Sequence, residues 1–165
     1  HMREQKLRKK SEISLLLIDY DNLKTSAWFD YKTYKLTSIS ASMASVVFSN
    51  MMFRNCFFDS RAFNIPREEV CNYFIWRQKD WIRNSLQMLA QNTYSHKSLH
   101  KKNKEDIQKM LEQKGIDWTK LNAIFRNGLF IYRDRITSGI YYDFNTIFSE
   151  QREAIDKYVY PVLVR

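Results

Sequence analysis

Between Arg67 and Gln91 apolar side chains recur at helical spacing, at Cys71, Ile75, Ile82, Leu86 and Leu89. That spacing draws one apolar stripe along a long amphipathic helix, the element that most constrains how the chain can fold. Pro66 precedes it, and Glu68 and Glu69 suit its first turn, where carboxylates meet the positive end of the helix dipole. Arg77, Asp80, Arg83, Asn84 and Gln87 lie off the stripe and are left for solvent or a ligand. Only three Gly and two Pro occur in 165 residues, so the rest of the chain is also expected in long regular elements with few sharp turns. A hydrophobic share of 44 %, with 11 Phe, 10 Tyr and 4 Trp, is incompatible with a disordered chain and sufficient for one domain with a core.

The remaining pattern reads as α+β. Ile13 to Ile18 is a compact apolar run expected to be a buried strand, followed by a turn cluster at Asp19-Tyr20-Asp21-Asn22. From Tyr31 to Asn50, Leu36, Ile39, Ser40, Met43, Ala44 and Val47 recur at three and four, as in a helix packed on a sheet. Phe57 to Phe63 reads as a second strand, ended by Pro66. Ser95 to Lys104 is expected to be a basic loop, Lys104 to Gln113 a helix stopped by Gly115, and Asp117-Trp118-Thr119 a short turn. Leu129 to Tyr132 reads as a strand and Ser149 to Tyr158 as a further helix. Residues 3–10 are a polar lead-in, and His1-Met2 reads as a cloning remnant.

With 27 Lys+Arg against 18 Asp+Glu the net charge is +9, which favours a polyanionic partner, most simply nucleic acid. Two cysteines, Cys56 and Cys71, have no metal-binding spacing and fit a reduced, cytoplasmic protein. There is no apolar run of 18 residues, so no membrane partner is expected.

Several stretches carry a more specific likeness. They are Ser11-Glu12-Ile13-Ser14-Leu15-Leu16-Leu17, Tyr34-Lys35-Leu36 through Ser40-Ala41-Ser42, Phe58-Asp59-Ser60-Arg61, Trp76-Arg77-Gln78 with Asp80 and Arg83-Asn84-Ser85, Ser95-His96-Lys97, and Asn127-Gly128. In combination, from about Ser11 to Arg133, they resemble the core of the tRNA-histidine guanylyltransferase family. The branch that guanylylates tRNA-histidine carries His-Ile-Asn-Asn where this chain has Ile82-Arg83-Asn84-Ser85, so the likeness is to the bacterial-type guanylyltransferase-like proteins. The resemblance implies a polymerase-palm-like, ferredoxin-like sheet packed by long helices, over residues 11–165 and incomplete at the N-terminus. It also implies nucleotide addition to RNA ends in the 3′-to-5′ direction, with Mg²⁺ and a nucleoside triphosphate as cofactors if the chain is active. The expected partners are tRNA or another RNA, and further copies of the chain.

Family members hold two metal ions on two carboxylates, one in an upstream Asp-Gly segment absent from this sequence and one in the Ser-Asp-Glu strand. The alignment places Ser11 at the second Asp and leaves Glu12 as the residual catalytic or metal-binding group. Two ions about 3.5–4 Å apart need charged oxygens between them, and a serine hydroxyl brings no charge to offset their repulsion. The expectation is a nucleotidyltransferase-like chain with a degraded metal site. The rival class is a non-enzymatic RNA- or protein-binding module, such as a phage inhibitor with a protein partner. Asp19, Asp21 and Asp59 are further carboxylates, but the first two fall in the turn beyond the strand.

The resemblance assigns Lys35 and Ser42 to nucleotide binding, and Arg77, Arg83, Asn84, His96, Lys97, Lys101 and Lys102 to RNA phosphates. Arginine's forked donors match phosphate, and a basic run such as His96 to Lys104 binds RNA by counterion release, although such runs are more often plain solvated surface. Asp80, three residues from Arg77 and from Arg83, reads as an orienting carboxylate. His96 and His100 as metal ligands lack a third partner nearby. Trp76 and Trp81 read as core or interface aromatics rather than base-stacking platforms.

Overall fold

The computed structural model describes residues 12–17, 28–133, 137 and 139–159. The described residues divide into two compact units, those before Pro66 and those from Pro66 on. The fold is α+β, mostly helical, with a small antiparallel sheet among the described residues.

In the first unit a kinked turn at Trp28–Tyr31 leads into α1, Thr33–Met52. The helix ends where Phe53 takes a left-handed conformation and returns its N–H to the Ser49 carbonyl. The chain then runs back extended, and the helix holds it through hydroxyls. Ser49 Oγ accepts from the Cys56 N–H at 2.9 Å and Ser45 Oγ from the Phe58 N–H at 3.0 Å, while Ser40 and Ser60 pair at 2.9 Å. Phe58 packs its ring on Phe48, with centroids 4.9 Å apart. The segment expected as a strand at Phe57–Phe63 alternates in burial only as far as Ser60 and joins no ladder among the described residues. The amides that a neighbouring strand would engage go to helix serines, and Phe57 stays 89 % exposed. The strand expected at Ile13–Ile18 is likewise not formed over residues 12–17: Ile13, Leu15 and Leu17 are exposed while Ser14 and Leu16 are half-buried. An apolar run on both faces makes a strand where both faces are covered, and no described residue covers the outer one. Ile18 and the turn at 19–22 lie outside the described residues. No residue of α1 is fully buried, so the apolar spacing from Leu36 to Val47 marks a lightly covered helix rather than one sunk on a sheet.

The second unit is built on α2, Val70–Thr93, entered through a tight turn at Arg67–Glu69. Four short helices follow: α3, His96–Leu99; α4, Lys104–Gln113; α5, Ala123–Asn127; and α6, Arg152–Val159. Between the last two, β1, Phe130–Arg133, pairs antiparallel with β2, Ile140–Asp143, with Phe130 opposite Asp143 and Arg133 opposite Ile140. The expected basic loop at Ser95–Lys104 is thus partly helical. Ser95 caps α3 by accepting from the Ser98 N–H, and Leu99 turns into the core.

The stripe of α2 finds its cover as the spacing requires. Leu86 and Ala90 join Leu99, Ile107 and Leu111 in a buried cluster, with Leu89, Tyr94, Met110, Ile116 and Trp118 around it. Each fully buried leucine or isoleucine contributes about 1.5–3 kcal/mol. At the other end Val70 and Cys71 are buried, as are Phe148 and Ile155. The rings of Phe74 and Phe148 both meet Phe130 edge-on, at 5.6 and 5.2 Å. α4 begins with a reciprocal cap between Asn103 and Asp106 and ends at Gly115, whose φ of 74° suits glycine. No helix among the described residues is long and apolar enough to cross a membrane.

Several motif residues are engaged in building this unit. Ser85, fully buried, donates to the Ile82 carbonyl at 2.9 Å and accepts from Trp118 Nε1 at 3.2 Å. Gln78 acts as a backbone surrogate, donating to the Thr146 carbonyl at 2.9 Å and accepting from the Phe148 N–H at 2.8 Å. Asn127 donates to the Phe144 carbonyl at 2.9 Å. Gly128, at φ 81°, lies under the Trp81 ring, where a side chain's first carbon would sit 3.3 Å from the indole. Trp81 itself donates to the Phe125 carbonyl, a core role as expected.

Candidate nucleic-acid interface

The solvent face of α2 carries the densest group of predicted residues. Asp80, with 15 % of its side chain exposed, accepts from Arg83 Nη2 through one oxygen and from Asn84 Nδ2 at 2.9 Å through the other. Arg83 is 78 % exposed, so its guanidinium is held at one edge and turned to solvent along the rest. The Arg77 guanidinium lies over the Trp76 ring, 5.4 Å from its centroid. Asp80 thus holds both Arg83 and Asn84, and the Arg77 guanidinium meets an aromatic face as well.

Positions 83, 87 and 91 succeed one another at four-residue steps, so Gln87 and Gln91 continue the face that Arg83 begins. They meet His96, His100 and Lys101 around a small polar pocket of about 180 Å³, floored by Leu99. Lys101 adopts φ 59°, a left-handed conformation uncommon for lysine, directly after α3. Lys97 and Lys102 are exposed beside this pocket without lining it. The structure thus brings His96 and Lys101 together with Gln87 and Gln91, while Arg83 and Asn84 are joined through Asp80. Sequence reasoning overlooked Gln91 and set His100 aside as a metal ligand; the four-residue step from Gln87 to Gln91 was the available signal.

In the first unit Lys35 and Ser42 are both exposed and stand two helical turns apart on one side of α1, Ser42 donating to the Ser38 carbonyl at 2.8 Å. Glu12 is exposed in the extended segment. Ser11, Asp19 and Asp21 lie outside the described residues. Among the described residues no three His, Cys, Asp or Glu side chains converge as a metal site.

Away from this surface, the Thr119 hydroxyl, and then Lys120, hold the Asp117 carboxyl below the usual carboxylate range. The reason is capping: Asp117 accepts from the Thr119 N–H at 2.9 Å at the start of the Trp118–Lys120 turn and pairs with Lys120 at 3.2 Å.

No model of a known protein family matches the sequence, and no curated protein does. Solved structures do, among them the following two. One is a bacterial tRNA(His) guanylyltransferase (Thg1)-like protein in complex with ATP, 38 % identical over 86 % of this chain, with a TM-score of 0.73. The other is a bacterial protein of the same description in complex with GTP, 33 % identical over 86 % of this chain, with a TM-score of 0.63. The chain spans 64 % and 62 % of those two proteins, less than two thirds of their length.

Proposed function

We propose a function for this chain from the family to which it belongs, that of the bacterial tRNA(His) guanylyltransferase (Thg1)-like proteins: it binds nucleoside triphosphate and the end of an RNA, and its chemistry is nucleotide addition in the 3′-to-5′ direction. The observation that carries this reading is the pairing of Asp80 with Arg83 and Asn84 on the open face of α2, at the motif shared with the family. A carboxylate that fixes one edge of an exposed guanidinium leaves its remaining donors set for a phosphate. His96, His100 and Lys101, with Gln87 and Gln91, extend that surface with polar groups for a backbone or a triphosphate. A net charge of +9 supplies the long-range attraction to RNA.

The transfer step itself is proposed to be slow in this chain. Ser11 stands where the family's strand carries its metal-binding Asp, and Glu12 alone remains beside it. The same substitution favours a second reading, in which the chain binds RNA or a protein and transfers nothing. The test incubates the protein with Mg²⁺, GTP and a 5′-truncated tRNA, beside a relative that carries both carboxylates. RNA binding with extension far below the relative's rate supports the proposal. Extension at the relative's rate overturns the slow-transfer part, and loss of both RNA and triphosphate binding overturns the whole.

A further inference from the structure

A second groove opens on α2 one turn and more before Arg83. Asn72, Trp76 and Lys79 line it at helical steps, Ile75 and Phe148 form its apolar side, and Arg152 at the start of α6 closes the far wall. It holds about 390 Å³. Trp76 is 56 % exposed there, although the Arg77 guanidinium lies over its ring and the Tyr73 ring packs with its centroid 6.1 Å away. Of the two roles that the sequence reading gave this residue, core or interface, its exposure excludes the core. Arg152 is set across the groove, donating to Asn72 Oδ1 at 2.6 Å and standing 3.7 Å from Asp156. Among the described residues no carboxylate lines the groove, although Glu69 accepts from Asn72 Nδ2.

An exposed ring, an apolar wall and two cations within one cleft match the chemistry of a nucleotide: a flat base to stack and a phosphate to neutralise. The groove is also continuous with the surface already described. Positions 76, 80, 83, 87 and 91 follow at steps of three and four along α2, so Trp76 stands at one end of the stripe that finishes at the His96 and Lys101 pocket. At 1.5 Å per residue those ends are about 22 Å apart along the helix, room for a few nucleotides.

From this arrangement we infer that the Trp76 groove is a docking site for an unpaired RNA nucleotide. Its base stacks on the indole and its phosphate meets Lys79 and Arg152. The inference rests on the RNA-binding reading above but assigns a site that reading does not use. A site of this kind discriminates by strandedness: a single-stranded extension reaches the indole, whereas a paired and stacked base does not.

The test measures affinity of the whole protein for a labelled single-stranded hexanucleotide and for a blunt RNA duplex, by fluorescence anisotropy. Trp76→Ala is expected to weaken the single strand about tenfold and leave the duplex unchanged, with Trp76→Phe retaining most of the affinity. The Lys79→Gln, Arg152→Gln double variant should lower the salt slope by about two. Unchanged single-strand binding in Trp76→Ala, while Arg83→Gln is weakened, overturns the groove and leaves the proposed function standing. Equal losses on both RNAs, or a loss that follows a change in sedimentation of the variant, overturn it in favour of a fold or self-association role. Absence of RNA binding by the unaltered protein removes both readings.

Discussion

Replacing Asp80 by Asn isolates the group on which the proposed phosphate-binding surface depends. The carboxylate accepts two donors, Arg83 Nη2 and Asn84 Nδ2, through separate oxygens. An amide offers one acceptor and one donor in nearly the same volume, so one of those two partners loses its acceptor and faces an N–H instead. The Arg83 share is small, under about 1 kcal/mol, because that side chain is 78 % exposed and water screens the pair. The Asn84 share is larger, because this residue is half-buried and an orphaned donor costs about 1–3 kcal/mol where water does not reach it freely. Together they predict a loss of about 1–2 kcal/mol, read as a lower urea midpoint with an unchanged slope. Arg83, released from its fixed edge, should also bind RNA more weakly, and by the same factor with and without Mg²⁺. A stability within about 0.3 kcal/mol of the unaltered protein would refute the network. A loss of Mg²⁺ binding with stability unchanged would refute the orienting role itself, since Asp80 would then be a metal ligand.

Four other outcomes follow from the fold. Ser85→Ala leaves Trp118 Nε1 without its acceptor at the centre of the second unit and should cost about 1–3 kcal/mol in urea unfolding. Leu111→Ala, in a fully buried position of the same cluster, should cost about 2–5 kcal/mol, whereas Asn103→Ala, which removes one half of the α4 cap, should cost about 1 kcal/mol. Asp117 has a folded-state pKa below its unfolded value, so its contribution is present above the ordinary carboxylate pKa and is lost as pH falls through the lowered one; Thr119→Val should shrink that acid-side loss, which a pH series of unfolding midpoints would detect.

How much of this was legible in the sequence depends on where the information lay. The α2 stripe and the cap and glycine stop of α4 are local patterns, and both helices lie close to where spacing and capping put them. The strand at Ile13–Ile18 was read from a compact apolar run and that at Phe57–Phe63 from the residues before Pro66, but a strand is defined by its neighbour. In this chain the amides of Cys56 and Phe58 are taken by serines of α1, a tertiary pairing that no local pattern announces. The second strand of the hairpin, Ile140–Asp143, lacked a turn signal strong enough to be read. At the candidate site, Asp80 and Arg83 were legible because they are three apart on one helix. The His96 pocket was not, because α3 was read as a loop and Leu99 as part of a charge run. Gln78, Ser85, Asn127 and Gly128 stood in the motif stretches beside the phosphate-binding candidates, yet each is occupied with backbone or core contacts. Residues carried by a family likeness thus divide into those that hold the scaffold and those left facing solvent, and only the structure separates the two.

The central claim, that the open face of α2 is an RNA-phosphate surface, is tested most directly by the salt dependence of tRNA affinity. The account predicts tight binding at low salt, a steep fall with added salt, and a slope reduced by about one in Arg83→Gln and again in Lys101→Gln. Binding that is absent at low salt, or a slope that neither substitution changes, would contradict it.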